Sequence, residues 1–290
     1  MKLQIVCYIM PGVILVLAFF VIPLLFVFYM SFQHWPGVGS ANYAGLGNFI
    51  YLFNDNSFRV ALANTLAWVA AGTFIHTPLC VLVALVLAKR PFVWKLCRTI
   101  FFLPNITSTT AIALLWYFLY HVNLGPINKA LAAIGLSFMS RAWLFDPNTA
   151  LAATMLPSVI YIGFGMVLFL NQISMIPREL YEAAQLDGAS AWKQDLYITI
   201  PLIRRAIALQ VLFVVGYSLK MFEYPFIMTS GGPANRTINL SLYIYRQMMT
   251  ANQYGLSMAA GVVTLAVGAI LLLILFFVLR RMSSDERTCP

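Results

Sequence analysis

Apolar residues fall in six long runs, with polar residues concentrated in the gaps between them. The runs cover approximately residues 3–32, 60–88, 99–121, 150–171, 206–228 and 256–279. Each reaches or exceeds the ~20 residues a helix needs to cross the hydrocarbon of a bilayer, which predicts six membrane spans. The first run is too long for the apolar region of a signal peptide, and no A-x-A-like cleavage site directly follows it, so it is expected to be a retained helix. Composition agrees: with 61% hydrophobic and 9% charged residues and a mean hydropathy of +0.84, a chain of 290 residues cannot hide its apolar side chains in a soluble core. The expected fold class is an all-α integral membrane protein, a single six-helix polytopic transmembrane domain over residues 1–290.

The gaps carry an asymmetric charge. Lys2, Lys89, Arg90, Lys95, Arg98, Arg178, Lys193, Arg204, Arg205, Arg280, Arg281 and Arg287 fall on one side of the six-helix arrangement, and Arg59, Lys129, Arg141, Arg236 and Arg246 on the other. The positive-inside rule then predicts that both termini are cytoplasmic. The same asymmetry accounts for the formal charge of +9 without a nucleic-acid partner. It also puts residues 177–205, the polar stretch between the fourth and fifth runs, in the cytoplasm.

That stretch has the grammar of a helix, a glycine turn and a second helix. Pro177 is suited to the first position of a short helix, where its missing N–H costs nothing, and Glu179 and Glu182 lie where carboxylates favour a helix N-terminus. Gly188 can take the left-handed conformation that ends the helix, and Ser190 is placed to cap the next. The run from Glu182 to Pro201, EAAQLDGASAWKQDLYITIP, resembles the cytoplasmic loop of the membrane-spanning subunits of bacterial ABC importers, whose pattern is EAA, two residues, DGA, then an apolar stretch ending in Ile-x-x-Pro. Glu182, Ala183, Ala184, Asp187, Gly188, Ala189, Ile198 and Pro201 match at the family spacing. Asp195 stands where that family usually has Phe, and Trp192, one turn earlier, is a candidate to supply the lost apolar contact.

The resemblance implies that the short helix docks into a cleft on a separate ATPase, with Glu182 to Ala184 and Asp187 to Ala189 as the coupling residues. It further implies a heterodimer with a second homologous permease subunit, two ATPase subunits that bind the ATP, an extracytoplasmic solute-binding protein, and residence in the bacterial cytoplasmic (inner) membrane. ATP-driven closure of the ATPases would draw the two coupling helices together and open the pathway outward. Three outer loops are expected, at residues 33–59, 122–147 and 229–253, the second with an amphipathic stretch at 127–136 suited to the bilayer surface. Gly231-Gly232-Pro233, followed by Thr237, Tyr245 and Tyr254-Gly255, resembles the carbohydrate-type branch of the importers, in particular the larger, maltose-type partner of the permease pair.

Several chemistries find no support. No GxxxxGK[ST] loop, HExxH or paired-Cys spacing occurs; His34, His76 and His121 are scattered, so neither a metal site nor a resident cofactor is expected. Cys7 and Cys80 read as small packing residues within spans, and Cys97 and Cys289 as free thiols on the cytoplasmic side. Asn105-Ile106-Thr107 and Asn235-Arg236-Thr237 read as chance glycosylation matches, and Asn105 with the Thr107 to Thr110 run as hydrogen-bonding residues between helices.

A sugar path asks for hydroxyl-pairing groups and aromatic faces near the middle of the membrane. Tyr161 and Phe164 lie three apart in the fourth run, predicted to share one helix face, and Tyr217 and Ser218 lie in the fifth. These are the candidate path residues, with packing as the competing reading. Lys220 and Glu223, three apart, read either as a self-neutralising pair or as part of the pathway. The function expected is the membrane-spanning subunit of an ATP-driven importer for a sugar, oligosaccharide or related polyol, contacting lipid on its outer faces; the chain itself is not expected to be an enzyme. Maltooligosaccharides, other oligosaccharides, polyols and glycerophosphodiesters all fit, because in the resembled family the binding protein supplies much of the selectivity. The alternatives are a stand-alone ion-coupled secondary transporter using Lys220 and Glu223, which needs no docking helix, and a membrane-embedded enzyme, for which no reactive cluster assembles.

Overall fold

The computed structural model describes the backbone of residues 2–284 and the side chains of residues 8–280. The readings placed on the side chains of Lys2, Cys7, Arg281, Arg287 and Cys289 fall outside these. Among the described residues five helical segments are long and apolar enough to cross a membrane: Tyr8–Met30, Asn56–Ala88, Ala150–Ser174, Arg204–Thr229 and Tyr254–Arg280. A bent pair, Trp94–Ile106 with Thr109–Leu119, makes the sixth. The second span begins at Asn56 rather than near 60, because the Asp55 carboxylate accepts from Ser57 N–H at 2.9 Å and caps the helix there. At 33 residues it is ~50 Å long, well beyond a ~30 Å hydrocarbon core.

The third apolar run does not form the straight helix expected of it. Its two halves meet at 102°, across a 3₁₀ turn at Leu103–Ile106 and extended residues Thr107 and Ser108. Pro104 lacks an N–H to continue the ladder, and the polar, partly β-branched residues that follow bond readily outside a helix. The fourth span also breaks, between Ala150–Ile160 and Gly163–Ser174, with Tyr161 at the gap (φ −82°, ψ 71°). In the fifth, the helix Arg204–Lys220 gives way to an extended Met221 before resuming as the turn Pro225–Thr229.

A second kind of irregularity follows proline. Pro23, Pro78 and Pro201 each stand two residues after a π turn, at Leu17–Val21, Gly72–His76 and Asp195–Thr199. A proline ring crowds the carbonyl four residues back, and a widened turn moves that carbonyl aside. The Ile-x-x-Pro ending of the loop motif is therefore a wide helical turn entering the fifth span.

The first and sixth spans pack against each other at the rim, and only 6% of the residues in the most apolar stretch of each are buried, so most of their surface is on the outside of the bundle. Half of the fourth span's stretch is buried, which makes it central. Three apolar clusters stack along the bundle. At the basic end Cys80, Leu85, Met166, Phe169 and Ile203 pack together; in the middle Trp68, Trp116, Met221 and Tyr224; at the far end Leu52, Phe58, Leu240, Tyr243 and Leu256.

The far end is pinned by buried amides. Asn64 Nδ2 donates to the carbonyls of Arg236 (2.9 Å) and Ile238 (2.7 Å), and Asn48 Nδ2 to those of Ser31 (2.8 Å) and Gln33 (2.9 Å). Asn239 caps the helix Leu240–Met249 through its Oδ1 while its Nδ2 donates to the Met221 carbonyl, tying the outer loop to the break in the fifth span. The Gly-Gly-Pro loop holds positive-φ residues at Ser230, Gly231, Ala234 and Asn235. Arg246 braces it by donating to Asn235 Oδ1 at 2.8 Å and to the Ser230 carbonyl. Tyr243 Oη donates to Asp55 Oδ2 at 2.7 Å, and burial together with that bond pushes the phenol pKa above its ordinary range. The amphipathic stretch of the second outer loop forms the helix Pro126–Ala133, shorter than predicted because Gly135 turns the chain at φ +79°.

Replacing Asn64 with Leu removes the donor for two carbonyls in a buried environment. The expected loss is ~1–3 kcal/mol, read as a lowered unfolding midpoint in detergent, whereas substitution of exposed Leu272 by Ala should move it far less.

Candidate functional site

The breaks in the spans converge on one cavity of about 540 Å³. The second span contributes Trp68, Gly72 and His76, the bent third Pro104, Asn105, Thr107 and Thr109, the fourth Ser158, Tyr161 and Phe164, and the fifth Gln210, Tyr217, Ser218, Lys220 and Tyr224. The size suits a small-molecule site, and so does the lining of aromatic faces set with a few amides and hydroxyls. Trp68 and Tyr224 stack at 6.1 Å with planes 9° apart, and Phe164 meets Phe213 edge-on at 5.6 Å.

Side chains repair the backbone at the breaks. His76 Nδ1 lies 3.0 Å from the Val159 carbonyl, which can only accept, so Nδ1 carries a proton, and in the neutral tautomer this leaves Nε2 as an acceptor. Gln210 Nε2 lies 3.5 Å and Cys80 Sγ 3.4 Å from that Nε2. Trp116 Nε1 donates to Tyr161 Oη at 2.6 Å, fixing the tyrosine at the gap in the fourth span. Two buried polar atoms of cavity residues have no partner: Trp68 Nε1, a donor, and Gln210 Oε1, an acceptor. Both atoms lie beneath the cavity surface, on residues only 3% exposed, rather than facing into it.

The loop at the basic end is the second site. Its helix, Arg178–Leu186, begins one residue later than predicted, with Pro177 as the N-cap rather than the first helical residue. Ala189 N–H donates to Ala184 O (2.8 Å) and Gly188 N–H to Gln185 O (3.0 Å), with Gly188 at φ +76°. This is a Schellman turn, and it explains the spacing of EAA and DGA: Ala184, Asp187, Gly188 and Ala189 occupy its C3, C-cap, C′ and C″ positions. Ser190 sits at the next N-cap but makes no capping bond; Gln194 Nε2 reaches back to Ala189 O at 3.0 Å instead. Tyr181 Oη and Thr199 Oγ1, 2.9 Å apart, fasten the helix to the entry of the fifth span. Glu182, Ala183, Asp187 and Gly188 are exposed, and Leu186 is 91% exposed, an apolar tip that no described residue covers.

Residues 76–284 match the family described as binding-protein-dependent transport system inner membrane component. The chain belongs to this family. It is a multi-pass permease of the inner membrane and the translocation subunit of a binding-protein-dependent importer, not an enzyme. The permease is 32% identical over 268 residues to the probable ABC transporter permease protein YurN of Bacillus subtilis, covering 90% of each chain. It is 31% identical over 246 residues to the lactose transport system permease protein LacF of Rhizobium radiobacter, covering 82% of this chain and 80% of LacF. A chain of the bacterial alginate ABC transporter, solved in complex with an alginate pentasaccharide-bound periplasmic protein, superposes with a TM-score of 0.84 at 26% identity over 97% of this chain and 95% of that one.

Against this geometry the predicted path residues separate. Tyr161, Phe164, Tyr217, Ser218 and Lys220 all line the cavity of the permease, but Tyr161 and Phe164 do not share a continuous helix face, since the chain breaks at 161–162. Glu223 does not line it. Lys220 and Glu223 form no ion pair, because the helix ends at Lys220 and the extended Met221 turns Glu223 away from helical register. Trp192 is 64% exposed and does not replace an aromatic anchor at 195; Asp195 instead takes Lys89 Nζ at 2.6 Å. Asn105, Thr107 and His76 belong to the cavity although their sequence context suggested helix packing or no role. Proline and glycine near polar residues inside an apolar run were the signal that marked them.

The Schellman turn yields a graded expectation. A Cβ at Gly188 meets no heavy atom within 4 Å, so Gly188→Ala incurs only the left-handed backbone penalty of ~1–2 kcal/mol. Gly188→Pro removes the N–H bonded to Gln185 and forbids positive φ. Amide exchange across residues 183–190 should rise modestly in the first variant and sharply in the second.

Proposed function

We propose that this permease forms the path for an oligosaccharide or related polyhydroxylated solute in an ATP-driven importer, with residues 177–205 as the cytoplasmic coupling loop. The observation that carries the reading is the mid-bundle cavity, where three broken spans and the widened turn of the second place aromatic faces beside amides and hydroxyls. The exposed rings of Phe164, Phe213 and Tyr217 offer surfaces for the apolar faces of pyranose rings, and the Tyr217 hydroxyl, the Asn105 amide and the Thr107 hydroxyl stand beside them for the sugar hydroxyls. The lactose permease and the alginate transporter among its likenesses handle carbohydrates, which supports the same solute class here.

In this reading the exposed loop helix, with Leu186 at its tip, docks on an ATPase subunit, and a second, related permease completes the pathway opposite the cavity. Two ATPases bind the ATP, and an extracytoplasmic binding protein delivers the solute to the far end. Closure of the ATPases moves the loop, and the loop moves the fifth span directly, because the wide turn Asp195–Thr199 runs into it without a break in the chain. Both termini then lie in the cytoplasm.

Uptake of radiolabelled lactose, maltotriose and alginate trisaccharide into vesicles bearing the full complex, with ATP inside and no ion gradient, tests the reading. Uptake of one of them is expected, and Tyr217→Ala should lower it at least tenfold while the ATPase still co-purifies. Gradient-driven uptake without ATP would replace the importer by an ion-coupled carrier. Topology is tested separately: single cysteines at Ser190 and Ala234, in a background lacking native cysteines, should react with an impermeant maleimide from opposite sides, and same-side labelling would refute the orientation.

A further inference from the structure

We propose that the Lys89–Asp195 ion pair ties the second span to the coupling loop, so that the stroke of the loop reaches the cavity through two spans rather than one. The proposal rests on the importer reading above. Asp195 is the first residue of the wide turn that leads into the fifth span, and it is only 9% exposed. On its own side it is held close to the Schellman turn, since Gln194 bonds the Ala189 carbonyl and Tyr181 bonds Thr199 across the same turn. On the other side, Lys89 is the C-cap of the helical half Thr77–Ala88, where a cation also complements the helix dipole. The opposite end of that half is the π turn that brings Gly72 and His76 to the cavity wall.

The fifth span follows the loop in the chain and needs no special contact to move with it. The second span is 106 residues away in sequence at this point, and the 2.6 Å contact bridges that separation. The Lys89 side chain is 52% exposed and that of Asp195 13%, so solvent screens the attraction from the lysine end and the pair contributes little to overall stability. Its value is geometric. A carboxylate this covered has one favourable position for its charge, and that position is on the end of the second span. Lys89 and Asp195 are thus positioning residues: neither touches the cavity, and both act through what they hold.

The test uses the assembled complex with both ATPases. Spin labels at Val86→Cys, on the lipid-facing side of the second span, and Ser190→Cys, in the loop, report the separation in the nucleotide-free state and after trapping with MgATP and vanadate. With the pair intact the distance distribution should be narrow and the same in both states. Lys89→Gln should broaden or shift it on trapping, and the swap Lys89→Asp with Asp195→Lys should restore a single unchanged distance. A wild-type distance that changes on trapping overturns the proposal, and so does a Lys89→Gln distance that stays narrow and fixed. Should Lys89→Gln fail to assemble, Asp195→Asn, which removes the other charge of the pair, takes its place with the same two outcomes. Failure of vanadate to trap nucleotide in the wild-type complex would instead count against the importer reading, which keeps the two failures distinct.

Discussion

Every backbone N–H and C=O that enters hydrocarbon must find a partner inside the protein, and the rest of this structure is arranged around that requirement. A straight helix meets it automatically; an interrupted one does not. The permease breaks its third, fourth and fifth spans and widens one turn of its second, and side chains meet carbonyls at these places. His76 serves the Val159 carbonyl, Asn239 the Met221 carbonyl, and Thr77 Oγ1 the Gly72 carbonyl at 3.0 Å. Only the first and sixth spans, which lie at the rim, lack both a break in helical register and a cavity residue, although the first carries a π turn before Pro23.

The breaks in helical register therefore gather around one cavity, and the cavity sits where it does because the breaks do. An unbroken four-helix wall would present only side chains to a solute. A broken one brings turns, helix ends and amide groups to the same surface, which widens the chemistry available without leaving a polar group stranded in lipid. Close approach is part of the same design: a Cβ on Gly163 would strike the Phe101 carbonyl and Asn105, so the fourth span resumes directly against the kink of the third.

Much of this was legible in the sequence, and the part that was not has a physical reason. Run length located the six spans, since hydrophobic thickness is a strong and local constraint. The loop motif was readable down to the left-handed Gly188, because a Schellman turn demands one residue type at one spacing. The breaks were harder. Pro104, Pro157 and Pro78 lie within apolar runs, and hydropathy does not distinguish a proline that bends a helix by 102° from one absorbed by a π turn. That outcome depends on which neighbour can satisfy the freed carbonyls. Of the two readings of Lys220 and Glu223, the pair fails on the same account: helical spacing presupposes a helix, and the chain leaves it between them, while Lys220 alone lines the cavity. The Lys89–Asp195 contact is long-range, and a single lysine among several at a helix end carries no local mark of its partner.

The open space around Gly188 has a consequence of its own. With nothing within 4 Å of the position a Cβ would take, the residue is constrained by handedness alone and not by room. A mirror-image amino acid, for which positive φ is the relaxed state, would fit there with a side chain of almost any size, and would stiffen the turn by removing the freedom glycine has in the unfolded chain. The turn is in that sense an achiral joint in a chiral helix pair: its tightness comes from the sign of one torsion angle, and the surface above it is left clear for whatever binds the loop.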